Sequence, residues 1–183
     1  MRCAIVVGRS AGALAEYEEA RSLLPNAVVI VVGAIGVDFP HQIDHWVTFH
    51  AGNFLLWMGQ RSLRGFSPAV VYWGALYRGR EMGVHDCAGL AVNYVPSVGG
   101  SSGFLAAHQV ALCELRCERV LMAGVPMTVE GGHYGDAFLW DEALVYRQTW
   151  IERVGELRSK VRSMSGWTRE LLGSPTPEWI VGK

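Results

Sequence analysis

Two glycine-rich segments carry the residues best suited to chemistry. The first is the turn Gly99–Gly103, which is followed by an apolar helical pattern from Phe104 to about Leu115. Free amides in the first turn of a helix, with the positive end of its dipole, favour a phosphate or carboxylate. Gly100, Ser101 and Ser102 are therefore candidate ligand-binding residues. An ordinary turn with a serine N-cap explains the same pattern, so both interpretations stay open.

The second segment is the loop over residues 128–136, which contains His133 and Tyr134. A reachable histidine in a glycine-rich loop is the best general-base candidate in the chain. The loop follows the apolar run Val120–Ala123, which ends at Gly124. In an open α/β sheet ligands bind beyond the carboxyl ends of the strands, so Gly124 and Tyr134 are assigned to the same site. A surface histidine without a chemical role is the alternative.

A third small-residue turn, Gly8-Arg9-Ser10-Ala11-Gly12, follows the apolar run Arg2–Val7. That run predicts a buried first strand. Gly8, Ser10 and Gly12 would then line a ligand site at the carboxyl end of this strand. A compact strand-to-helix turn with no ligand explains the composition equally well.

Polar residues also flank a predicted strand between Ile43 and His50. Asp44, His45 and His50 could form a metal site or act as acid–base groups, because imidazole and carboxylate serve both purposes. Polar residues at strand ends are commoner, so we expect no metal here. We assign Asp44 and His50 to contacts with a ligand.

The elements that position these residues alternate between short apolar runs and helical patterns. This alternation predicts one domain over residues 1–183, a three-layer α/β, Rossmann-like fold with a mainly parallel sheet. Asn53 is predicted to cap a helix over Phe54–Leu63. One long helix is predicted over about residues 136–164, with the tail 165–183 packing on the domain.

Composition excludes several classes of function. The net charge of −1 gives no strong signal for nucleic acid, and no apolar run approaches membrane-spanning length. No signal peptide opens the chain, and four cysteines without paired spacing indicate reduced thiols in a cytoplasmic protein. Neither a Walker lysine motif nor GxGxxG occurs, which argues against P-loop ATP hydrolysis and a dinucleotide fingerprint.

Several of these segments resemble a known family. Ser101-Ser102-Gly103-Phe104, the apolar helix, and the run from Glu118 to Met127 are similar to the central motif of bacterial lipooligosaccharide sialyltransferases. The same pattern resembles 6-hydroxymethylpterin pyrophosphokinase and uncharacterised Rossmann-like phage proteins. The resemblance implies that His133, followed by Tyr134, is the catalytic base. Arg9 and Pro126 depart from the pattern, which has asparagine and an acidic residue at these positions.

We therefore expect a transferase-like protein that binds a nucleotide or nucleotide-sugar, for glycosyl or diphosphate transfer without a required cofactor. The alternative is a non-catalytic assembly or interaction module, such as a virion component. The departures from the family pattern and the seven tryptophans favour this alternative, because large aromatic rings are enriched at interfaces. A sensor that binds the nucleotide without turnover is a third class. The sequence is compatible with a homo-oligomer.

Overall fold

A mainly parallel β-sheet forms the centre of the protein. The structure is a computed structural model that describes residues 1–77, 80–81, 89–129 and 140–182. In those residues the strands are β1 (Cys3–Val7), β2 (Val28–Val32), β3 (His45–Val47), β4 (Val71–Tyr77), β5 (Arg80–Glu81), β6 (Val92–Pro96), β7 (Arg119–Ala123) and β8 (Val161–Ser163). Among these described strands only β5 pairs antiparallel, with the end of β4. The predicted α/β, Rossmann-like fold with a mainly parallel sheet is confirmed.

The strand order reverses at β1. Tyr72 and Trp73 of β4 pair with both β3 and β6, so these two strands flank β4 on opposite sides. The parallel strands therefore lie in the order β6–β4–β3–β2–β1–β7–β8. Ile5 of β1 pairs with Val29 of β2 on one side and with Leu121 of β7 on the other. The chain consequently continues from β1 and from β7 to helices on opposite faces of the sheet, and such a switch point forms a crevice at the carboxyl edge.

Helices cover both faces of the sheet. They are α1 (Ala13–Leu23), α2 (Ile35–Asp38), α3 (Phe54–Leu63), α4 (Ser102–Phe104, continued by Leu105–Glu114), α5 (Glu142–Glu152), α6 (Val154–Leu157), α7 (Gly166–Leu172) and α8 (Pro177–Val181). Side chains alternate across β1, so Ile5 and Val7 pack with α1–α3, and Ala4 and Val6 pack with α4–α7. These two apolar clusters make the domain three layers thick.

Helix α4 returns the chain from the edge strand β6 to the middle of the sheet. After its first turn it has π-helical hydrogen bonding, and the Leu115 amide donates to the Val110 carbonyl at 2.9 Å. Its inner face is apolar and largely small, with Ala106, Ala107 and Ala111 completely buried. Because these side chains are short, the helix packs closely on the sheet and brings its first turn to the crevice.

The predicted single helix over residues 136–164 is wrong. Residues 130–139 lie outside the described residues; beyond them α5 ends at Glu152, and Val161–Ser163 form β8. Val161 pairs with Val120 of β7, and both side chains are completely buried. The apolar residues Val154, Leu157 and Val161 fit a helical period. Pairing with β7 nevertheless makes the segment from Val161 a strand instead of a helix.

The C-terminal tail packs on the sheet. Helix α8 carries Trp179, whose buried indole donates to the Ser159 carbonyl at 3.3 Å. Thr176 caps this helix by accepting from the Trp179 amide at 3.2 Å. None of the helices in the described part of the chain has the length and apolar character needed to cross a membrane.

Candidate functional site

A cleft of about 730 Å³ lies at the carboxyl edge of the sheet, where the strand order reverses. The loops after β1, β2, β3 and β7 form its floor and one wall. The turn before α4 and the inner side of α5 form the remaining walls. A volume between roughly 300 and 1,000 Å³ is typical of small-molecule sites.

Two glycines hold the loops after β1 and β7 together. The Gly8 amide donates to the Ala123 carbonyl at 2.8 Å, and the Ser10 amide donates to the Gly124 carbonyl at 3.1 Å. A Cβ atom on Gly8 would lie 2.3 Å from the Gly124 carbonyl oxygen, so no larger residue fits there. Gly124 has a φ of +68°, which favours glycine, and its amide donates to Glu16 Oε2 at 2.6 Å. This close contact places Arg9 and Ser10 at the cleft.

The first turn of α4 lies between the loops after β3 and β7. Ser101 is the N-cap, since its Oγ accepts from the Phe104 amide at 3.4 Å, and it also contacts Met127 Sδ at 3.6 Å. The neighbouring Ser102 Oγ accepts from the Phe49 amide at 3.2 Å. The two serines therefore tie the helix start to both sides of the cleft.

Glycines shape the turn that precedes these serines. Gly99 and Gly100 have φ values of +101° and +76°, which an L-residue with a side chain rarely adopts. Among the described residues, the amides of Ser102 and Gly103 donate to no protein acceptor. These amides remain available to an anion, and the helix dipole would favour it.

Aromatic side chains line the two ends of the cleft. Trp57 of α3 lies at one end, near His50 and Asn53. Trp140 and Tyr146 lie at the other end, with their ring centroids 5.9 Å apart. Both ends can therefore bind a flat or apolar group.

The charge of the lining favours an anionic ligand. In the described part of the cleft no aspartate or glutamate contributes to the lining, whereas the cationic Arg9 does. Dinucleotide-binding folds place an acidic residue near the end of the second strand to hold the ribose hydroxyls. Gly33 and Ala34 occupy that position here, so this standard ribose contact has no side chain to make it.

Of the eleven predicted site residues, seven line this cleft, Gly12 and Asp44 do not, and two lie outside the described residues. Those that line it are Gly8, Ser10, His50, Gly100, Ser101, Ser102 and Gly124. Gly12 lies outside the lining, at the start of α1, where its nearest neighbour is Glu16. His133 and Tyr134 lie outside the described residues, so their roles stay predictions.

Asp44 does not line this cleft, so its assignment to a ligand contact stays a prediction. Asp44 precedes β3, and the residues before a parallel strand lie at the amino edge of the sheet, opposite the cleft. Its Oδ2 accepts from the Val29 amide at 2.8 Å, which is a structural role. It lines a separate pocket of about 340 Å³ with Tyr17 and His41.

The neighbouring His45 is also structural. Trp73 Nε1 donates to His45 Nδ1 at 3.0 Å, which requires an unprotonated nitrogen. Burial lowers the pKa of His45, although the Asp44 carboxylate opposes this shift. Among the described residues no group of three or more histidine, cysteine and acidic side chains is arranged to hold a metal ion.

The buried thiol of Cys117 does not provide a nucleophile. Burial raises the pKa of Cys117 to about 11, so its reactive thiolate form is scarce at neutral pH. Burial also raises the pKa of Cys3 and of Cys113. None of these three cysteines lines the cleft.

Sequence reasoning missed the α3 wall of the cleft. The prediction that Asn53 caps α3 is wrong, because its side chain makes no cap hydrogen bond. A helical turn over Ala51–Asn53 leads directly into α3 and leaves Asn53 in helical conformation, whereas an N-cap residue is non-helical. The spacing of Asn53 and Trp57, one helical turn apart, was the available signal.

Comparisons of the chain with models of known families, with curated proteins and with solved structures give no match. The resemblance to sialyltransferases and pyrophosphokinases therefore stays a prediction. Function has to be argued from the cleft itself.

Proposed function

We propose that this protein binds a nucleotide or nucleotide-linked donor in the cleft and transfers a glycosyl or diphosphate group from it. One observation carries the proposal: a nucleotide-sized cleft lies where the strand order reverses, and its described lining has two glycine-rich turns and no carboxylate. Anionic ligands of α/β folds bind at this position, on backbone amides.

The polar middle of the cleft suits phosphate groups. Gly100, Ser101 and Ser102 supply backbone amides at the start of α4, and Arg9 adds a positive charge from the loop after β1. Guanidinium groups and helix-start amides both bind phosphate oxygens well. The aromatic ends would then contact the less polar parts of the ligand.

Group transfer would use His133 as the base. The imidazole would take the proton of an acceptor hydroxyl as the acceptor oxygen bonds to the transferred carbon or phosphorus. The bond to the donor would break at the same centre, and the leaving nucleotide would keep the electron pair as a phosphate anion. Amides at the start of α4 would stabilise that negative charge.

Titration calorimetry with cytidine, uridine, adenosine and guanosine nucleotides tests the binding proposal. We expect at least one to bind below millimolar concentration, and Arg9→Gln to weaken it about tenfold with a smaller dependence on salt. Arg64→Gln is the control, since Arg64 lies outside the cleft in a half-exposed ion pair with Asp38. No binding of any nucleotide at millimolar concentration would refute the proposal.

A second experiment separates an enzyme from a sensor. His133→Ala is expected to leave the affinity for the nucleotide within about twofold and to abolish product formation, because a base acts only in the transition state. Retained turnover in this variant would remove His133 from the mechanism.

A different observation favours the assembly module as a second candidate. Leu56 and Leu63, seven residues apart on the outer face of α3, are 61% and 90% exposed. Apolar residues on one helix face are typical of a contact with another protein. Light scattering tests this: a dimer that Leu63→Glu dissociates would support it, and a strict monomer at 0.1 mM or so would argue against self-assembly.

A further inference from the structure

The α3 wall of the cleft is built on two stacked indoles. Trp57 lines the cleft and is half-buried; its ring lies 6.0 Å from that of Trp46, with 14° between the planes. Trp46 is completely buried, and its Nε1 donates to the Gly33 carbonyl at 2.8 Å. A Cβ atom on Gly36 would lie 2.3 Å from the Trp46 ring, so the indole fills its site tightly. A fixed Trp46 therefore holds Trp57 in one orientation at the cleft.

A polar side chain lies beside this aromatic wall. Asn53 is exposed, lines the cleft and is one helical turn before Trp57. Its side-chain amide neither caps α3 nor bonds to another group among the described residues. A side-chain amide offers both donors and acceptors, so it can pair with an edge that carries both.

We propose that the α3 end of the cleft binds a planar nitrogenous base, which stacks on Trp57 and pairs at its edge with Asn53. This inference rests on the proposed function and names the part of the nucleotide that supplies selectivity. A base has one flat face and one hydrogen-bonding edge, which is what an indole and an adjacent amide recognise.

A sugar is the less suitable occupant of this end. Its hydroxyl groups need several polar partners, and the nearby loop after β2 supplies only Gly33 and Ala34. Because this loop has no side chain to hold a ribose diol, recognition of the ligand depends more on the base.

The experiment compares nucleotides with a ligand that lacks only the base. AMP, GMP, CMP and UMP are titrated against ribose 5-phosphate by calorimetry. We expect the best nucleotide to bind at least tenfold more tightly than ribose 5-phosphate. Trp57→Leu is expected to weaken that nucleotide roughly 5- to 100-fold, the range for loss of one base–aromatic stack. Its affinity for ribose 5-phosphate should stay within twofold.

Two further variants make the test specific. Trp179→Leu makes the same change at a tryptophan of α8 that lies outside the cleft, with its indole bonded to the Ser159 carbonyl, and is expected to leave both affinities unchanged. Asn53→Ala is expected to narrow the spread of affinities among the four nucleotides. Asn53 is exposed and makes no cap, so this variant should fold even where Trp57→Leu does not, and an unchanged spread overturns the inference.

The outcomes separate this inference from the proposed function. If neither nucleotides nor ribose 5-phosphate bind, the proposed function fails and the base subsite with it. If ribose 5-phosphate binds as tightly as the best nucleotide, the base subsite is wrong and the anion site stands. Equal weakening of both ligands by Trp57→Leu would show that Trp57 only supports the fold.

Discussion

Gly8 and Gly12 belong to the same turn, but only Gly8 is required by its neighbours. A Cβ on Gly8 would lie 2.3 Å from the Gly124 carbonyl and 2.5 Å from Val125 Cγ2. We predict that Gly8→Ala lowers the free energy of unfolding by about 1–3 kcal/mol, the usual range for overpacking, and weakens binding in the cleft. Urea unfolding and calorimetry provide the measurements.

Gly12→Ala is the matched control. Gly12 has a φ of −87°, and its nearest neighbour, Glu16 Oε1, would lie 3.6 Å from the added Cβ. Alanine fits this conformation, so stability should be unchanged or raised by up to about 1 kcal/mol. Equal losses in the two variants would contradict the close loop contact described above.

His45 gives stability a dependence on pH. Its pKa is lowered in the folded protein by burial, and Trp73 needs the unprotonated Nδ1 as an acceptor. Between the lowered folded pKa and the unfolded value near 6.5, the unfolded chain binds more protons. The free energy of unfolding should therefore fall as pH drops below about 6.5.

His45→Asn isolates this effect. The asparagine oxygen can still accept from Trp73, but it does not titrate. We predict that the free energy of unfolding, measured by urea at pH 7.5 and pH 5, falls less in the variant than in the wild type. Identical pH dependence in both proteins would show that His45 protonates freely in the folded state.

Helix α7 supports the cleft loop after β7. Thr168 Oγ1 donates to the Val125 carbonyl at 2.6 Å and lies 2.8 Å from Ser163 Oγ, and all of these groups are buried. We predict that Thr168→Val costs about 1–3 kcal/mol of stability, since it leaves buried polar groups unpaired, and that it also weakens ligand binding.

Thr176→Val separates stability from support of the cleft. It removes the N-cap of α8, which should cost about 1 kcal/mol, but it acts far from the loop after β7. Thermal melts and calorimetry on both variants provide the comparison. Unchanged ligand affinity in Thr168→Val would show that the loop holds its shape without α7.

The sequence predicted those strands and helices whose secondary structure follows from the apolar pattern of their own residues. The apolar runs of β1 and β7 and the helical patterns of α3 and α4 could be recognised because their burial follows from composition and period. Strand β8 could not be recognised, because Val161 becomes a strand residue only through pairing with Val120. Its sequence period fits a helix equally well.

The part of the candidate site that could be predicted is formed by loops that follow parallel strands. Loops after strands meet at one edge, so Ser10 and Ser102 could be assigned to one cleft. Asp44 and His50 were grouped because they flank the same strand, but Asp44 precedes β3 and therefore lies at the opposite edge of the sheet from His50. Trp57 was missed because a single tryptophan on a helix fits a core position as well as a cleft wall, although its spacing from Asn53 was a usable signal.

At the scale of the whole molecule, one sheet joins residues from both ends of the chain. Trp150, Leu157 and Leu172 share an apolar cluster with Val6 of β1. We predict a single cooperative unfolding transition, with calorimetric and van't Hoff enthalpies equal within about 10%. Two resolved transitions in scanning calorimetry would instead indicate that the C-terminal segment is a separate unit.

The reversal of strand order at β1 also determines when binding becomes possible during synthesis. Glu16 and Gly124, which join the loops after β1 and β7, are 108 positions apart in the chain. The ribosome makes Ser10 before Thr149, which borders the same cleft. A nascent chain therefore has no complete ligand pocket until α5 has emerged, and a ligand can stabilise only protein in which the segment through α5 has been made.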